Sequence, residues 1–216
     1  MIVPQMALLS PTPALVVRFA FTALIFYGGL GFLGIKLSQK LGSPDIWDTK
    51  ISNRQRILIP AIVGVLIGIF FLLANVLFSR FHSLGAYSRM SFPVSFLASA
   101  NAAIGEEIMV RLFFIPFLMW LIHHVILKGK WRNQVFWICV GISASAFVYL
   151  HVLWIMLQMG WRTIAAFPPA FLAEIIILNT VLSLFAAYYF RKFGFLASVG
   201  IHFWADVVWL VIRGIV

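Results

Sequence analysis

Three short polar clusters interrupt stretches that are otherwise apolar: Glu106-Glu107 with Arg111, Phe147 with His151, and His202 with Asp206. The chain has six carboxylates and five histidines, and three of the former and two of the latter fall in these clusters. Ionisable groups are costly in hydrocarbon, so each such residue is a candidate functional group. Glu107 and Arg111 are four apart, stacked on one helix face with the acid on the favoured amino-terminal side. Glu106 lies about 100° around the same helix, without a local cation, and is the candidate general base. His151 follows Phe147 by one helical turn, so the ring can cover the imidazole and fix its rotamer. His202 and Asp206 also share a face; the carboxylate either holds the imidazole in one tautomer or points with it at a common centre. Taken singly, each has a plainer reading as a packing ion pair or a hydrogen-bonded core histidine.

Together the clusters describe hydrolysis. A water between Glu106 and His151 could lose a proton to Glu106 and attack a peptide carbonyl, while His202 with Asp206 stabilises the developing oxyanion. Alternatively Glu106, His151 and His202 ligate a zinc ion carrying that water. The residues leave both routes open.

The elements that must position these groups are membrane helices. With 63% hydrophobic and 10% charged residues and a mean hydropathy of +1.04, a soluble domain is excluded. Apolar stretches near or above about 20 residues can cross a bilayer core. Spans are expected near 14–37, 57–78, 91–127, 134–157, 168–190 and 195–213, all helical because lipid offers no partner to an open backbone. The fold class is therefore an all-α polytopic membrane helix bundle of about six spans. The third stretch is too long for one straight crossing, and Pro93 followed by the small residues 98–103 suggests a re-entrant or surface helix before a full span. Residues 1–216 form a single membrane domain, and 38–56 read as a cytoplasmic loop around Gly42-Ser43-Pro44-Asp45. The amino terminus has no charged leader region, so the first span is expected to remain as an anchor.

Basic residues orient the bundle. Lys36, Lys40, Lys50, Arg54, Arg56, Lys128, Lys130, Arg132, Arg191 and Lys192 flank the odd loops, against Arg80, Arg89, Arg162 and Arg213 on the other side. This favours a multi-pass cell-membrane protein with both termini outside. The net charge of +10 then belongs to loops facing anionic lipid, and nucleic acid is not expected as a partner. Cys139 is alone within a span, so no disulfide framework exists. Gly29-Leu30-Gly31-Phe32-Leu33-Gly34 fits a dinucleotide fingerprint, but it lies inside an apolar span; close helix approach explains it better, as it does Gly64 and Gly68. Glu174 either joins the cavity or, as the expected reading, pairs with Arg162 or Arg18 near the interface, and His123 and His124 are expected to sit at a membrane boundary.

In order and spacing, E-E-x-x-x-R, F-x-x-x-H and H-x-x-x-D on successive apolar helices resemble the CPBP family. Its members are the intramembrane CAAX prenyl endopeptidases and the bacteriocin-processing or immunity proteins, also called the Abi family. The resemblance covers roughly residues 95–210, including a closing hairpin from Tyr189-Phe190-Arg191-Lys192-Phe193-Gly194 to His202-Phe203-Trp204-Ala205-Asp206. It implies an intramembrane endopeptidase acting on a peptide or membrane-protein substrate, prenylated in some members. Glu106 and His151 would activate water, His202 and Asp206 would stabilise the transition state or ligate a metal, and Glu107 with Arg111 would support them. The family's last position is Asn in many members; Asp206 here would orient His202. Alternatives are a non-catalytic immunity or scaffold relative and a proton-coupled transporter, the latter disfavoured by the missing internal repeat.

Overall fold

The computed structural model describes residues 13–82 and 92–212, which are helical with no strand among them. Arg89 and Arg213, two of the basic residues used for orientation, lie outside the described residues. Six long helices follow in order: α1 Pro13–Lys40, α2 Arg54–Phe78, α3 Val94–Ile126, α4 Arg132–Met159, α5 Pro169–Phe193 and α6 Phe195–Val211. Among the described residues, α2, α3, α4 and α5 are long and apolar enough to cross a membrane; α6 is shorter.

The polarity pattern is that of a bundle in lipid. Glu107 and Arg111 are fully buried, whereas Leu73 and Leu157 are 66% and 82% exposed. Apolar side chains cover the outside and charged ones sit within, the reverse of a soluble domain. α6 lies at the centre, against α2, α3 and α5, with α4 packed on α5 and α3. Close approach explains the α2–α6 contact. A Cβ on Gly64 would lie 2.5 Å from the Ile201 carbonyl oxygen, and one on Gly68 would lie 2.5 Å from Cβ of Val208. In the first helix the same role falls to Gly34, whose Cβ would lie 2.5 Å from the Leu112 carbonyl oxygen of α3; around Gly29 there is open space.

One expectation is corrected. Residues 94–126 do not divide into a re-entrant or surface helix and a separate span; α3 runs unbroken. Its length is accommodated by widened turns over Ile108–Phe114 and Trp120–Ile126. Pro116 gives the first a cause: its ring would crowd the carbonyl four residues earlier and it offers no N–H. Widening passes the Ile115 N–H to the Val110 oxygen, one residue beyond the α-helical partner.

The 38–56 loop is organised by a residue that looked like a simple headgroup cation. Arg56 is buried, donates to the carbonyls of Ile46 (3.2 Å), Asp48 and Ile51, and stacks on Trp47. The loop passes beneath the α5–α6 hairpin at Gly194, whose φ of +85° suits glycine and whose Cβ would lie 3.1 Å from the Pro44 oxygen.

Candidate functional site

Glu106 and Glu107 end the regular first part of α3, immediately before its widened turns. Successive residues point about 100° apart. Glu107 therefore enters the helix interface and is fully buried, while Glu106 faces a cavity and keeps 30% of its side chain exposed. The cavity, about 620 Å³, is lined by Glu106, His151, His202 and Asp206 together with Phe147 and Trp154, among others. Three helices thus deliver all four expected site residues to one space.

The distances rank these groups. Glu106 Oε2 lies 3.9 Å from His151 Nε2 and 3.7 Å from His202 Nε2. Asp206 Oδ2 lies 3.5 Å from the same His202 nitrogen. The tightest contact is from His202 Nδ1 to Glu107 Oε1, at 2.8 Å. The supporting role expected of Asp206 is therefore reassigned: Glu107 fixes the His202 ring, and Asp206 faces its opposite nitrogen. The Glu107 oxygen that accepts from His202 also lies 3.0 Å from Arg111. The ion pair read from the i, i+4 spacing is thus part of a longer chain, from arginine through carboxylate to imidazole.

His151 is held from one side only. Its Nδ1 lies 3.0 Å from the Phe147 carbonyl oxygen one turn earlier. A carbonyl only accepts, so Nδ1 carries the proton and donates, leaving the Nε2 lone pair of the neutral ring towards Glu106. Phe147 covers the imidazole as expected, with ring centroids 4.4 Å apart. The same buried ring meets His202 edge-on at 6.0 Å and carries the Arg111 guanidinium 4.7 Å above it. Arg111 donates further to Ser183 Oγ of α5 at 2.9 Å, which ties α3, α4 and α5 together beneath the cavity.

Equal depth for His151 and His202 does not follow from straight helices crossing a bilayer. The contacts of both rings with one Glu106 oxygen place them level all the same.

A metal centre was weighed on Glu106, His151 and His202. Among the described residues, no group of three or more His, Cys, Asp and Glu side chains is arranged to hold a metal ion. One nitrogen of each histidine is engaged, by a backbone carbonyl and by Glu107, and both Nε2 atoms face Glu106. Because the side chains as placed do not form a metal site, no step is drawn through zinc.

At the other end of the cavity only Glu174 was a candidate from sequence. Glu174 lines it, but its partners are Asn75 Nδ2 at 2.8 Å and His82 Nε2 at 2.9 Å. Arg162 is exposed, and the Arg18 side chain lies outside the described residues. Asn75 and His82 lie 99 and 92 residues from Glu174, so no local spacing signals the cluster. Ser183 escaped notice for the same reason, as a small hydroxyl in an apolar run. His123 and His124 sit at the end of α3, where His123 Nδ1 donates to the Lys130 carbonyl at 2.9 Å.

No protein-family profile, curated protein or solved structure matches the chain.

Proposed function

We propose that the protein is a multi-pass intramembrane endopeptidase of the CPBP type, with six crossings and both termini outside. It hydrolyses a peptide bond of a membrane-associated substrate. The observation that carries this reading is the convergence of Glu106, His151 and His202 on one cavity inside an apolar bundle, with the Glu106 and His151 side chains each 30% exposed.

The 3.9 Å between Glu106 Oε2 and His151 Nε2 exceeds a direct hydrogen bond and suits a bridging water. Glu106 Oε2 makes no direct hydrogen bond among the described residues, which leaves it to accept from that water. In this mechanism His151 Nε2 accepts one O–H of the water and so orients it. Glu106 removes the other proton as the oxygen attacks the scissile carbonyl. His202, in its imidazolium form against Glu107, donates Nε2–H to the oxyanion, with Asp206 beside it. Glu106 then returns its proton to the leaving amine nitrogen, and the C–N bond breaks. Glu107, Arg111 and Phe147 touch no reacting atom; they position His202 and His151.

The test is cleavage of a membrane-protein and prenylated-peptide panel by the purified protein in nanodiscs, beside Glu106→Gln and His151→Ala. Products from the parent that vanish in both variants support the reading. Equal cleavage by both variants removes the mechanism.

A further inference from the structure

The cavity has two polar ends. One holds Glu106, His151, His202 and Asp206; the other holds Glu174, Asn75 and Asn179, with apolar wall between. Glu174 is 3% exposed, and its oxygens take an amide donor from Asn75 and an imidazole donor from His82. No lysine or arginine pairs with Glu174 or lines the cavity among the described residues. Among the described residues the buried Glu174 carboxylate thus meets an amide and an imidazole and no lysine or arginine, and a buried acid so placed is best met by a cation. By contrast, the fully buried Glu107 has Arg111.

We infer that Glu174 is a substrate-recognition site for a cationic group, a lysine or arginine side chain or a free amino terminus, of the chain that enters the cavity. The inference rests on the hydrolytic reading for the meaning of "substrate", but not for the existence of the site. Two structural rulers give its register. On α5, Glu174 is nine residues from Ser183, the Arg111 partner beneath the hydrolytic end, or about 14 Å along the axis. On α2, Asn75 is seven residues from Gly68, which packs against Ala205 and Val208 beside Asp206, or about 10 Å. An extended peptide advances about 3.3 Å per residue, so the cation belongs about three to four residues from the bond that is cut. The wall between the ends, including Phe71, Leu178 and Leu182, accepts apolar side chains. The preferred sequence is thus an apolar stretch with one basic residue at a fixed distance from the scissile bond.

The experiment uses the full-length protein in phosphatidylcholine nanodiscs. Its substrates are decapeptides of alternating Ala and Leu carrying one Lys, moved through every position, and matched peptides with norleucine instead. Cuts are mapped by mass spectrometry. A charge-assisted hydrogen bond in this setting predicts that Lys is favoured over norleucine by about tenfold or more at three or four residues from the cut. Glu174→Gln should bring that preference to within about twofold, and Glu174→Asp should keep part of it. The same peptides with a dinitrophenyl quencher report binding through the cavity residues Trp154 and Trp209, and Glu106→Gln should retain the Lys preference there. Binding preference without cleavage in the parent would mean that the hydrolytic reading fails while the cation site stands. A parent that cuts or binds Lys and norleucine peptides alike overturns the inference. So does a preference that survives Glu174→Gln. If that variant does not assemble, the parent's positional scan decides: a preference at the stated register supports the site, and none there overturns it.

Discussion

Two acid–imidazole pairs of nearly equal length each put one residue into the cavity wall, Glu107–His202 at 2.8 Å through His202 and Glu174–His82 at 2.9 Å through Glu174. Both carboxylates are buried, yet their surroundings differ. Glu107 is neutralised by Arg111, and beside its histidine stand a second carboxylate and a second imidazole, Glu106 and His151, each 30% exposed. Glu174 has an asparagine in place of the arginine and no second histidine among its described partners. A buried acid–imidazole pair is therefore common to both ends. What distinguishes the end proposed for hydrolysis is a second pair, Glu106 and His151, each 30% exposed and 3.9 Å apart.

Several perturbations separate the two ends. The largest effect is expected from Glu106→Gln or His151→Ala, each lowering hydrolysis by about 10²–10⁴-fold with assembly retained, read as initial rates in nanodiscs. Glu107→Gln leaves Arg111 buried without its counter-charge and should cost about 3–5 kcal/mol, visible as loss of thermal stability in detergent. Asn75→Leu removes one uncharged donor from Glu174 and should cost only about 1–3 kcal/mol in the same assay. Equal losses for these two variants would erase the distinction between the ends. Asp206→Asn should keep hydrolysis within about tenfold, because His202 is held by Glu107. The smallest effect is expected from a chelator, which should leave the rate unchanged because no described group is arranged to hold a metal; rescue by added zinc would restore the metal route.

Much of the Glu106 end was legible because its groups report themselves at i, i+4 spacing within apolar helices: Glu107 with Arg111, Phe147 with His151, His202 with Asp206. Helix periodicity places each pair on a face, and the cost of charge in lipid turns that face inward. Periodicity says nothing of partners on other helices. Hence Asp206 was offered as one carboxylate that could hold His202, where Glu107 lies closer, and Glu174 was matched with Arg162 or Arg18 in place of Asn75 and His82. The unbroken α3 was missed for a different reason. Pro93 and the small residues after it resemble a break, whereas the backbone adjusts beyond Glu107, in the turns that precede Pro116. Gly64 and Gly68 did announce close packing, since a small residue every fourth position leaves a groove that only a neighbouring backbone fills.

The central claim is that Glu106 and His151 act on one water, and a double-variant cycle tests it most directly. Initial rates of peptide hydrolysis would be compared for the parent, Glu106→Gln, His151→Ala and the double variant, each reconstituted in the same nanodiscs. Residues serving one water lose their contribution together, so the double variant should be no slower than the slower single variant. Losses that multiply would mean that the two side chains act independently. Rates unchanged by either substitution would contradict the account outright.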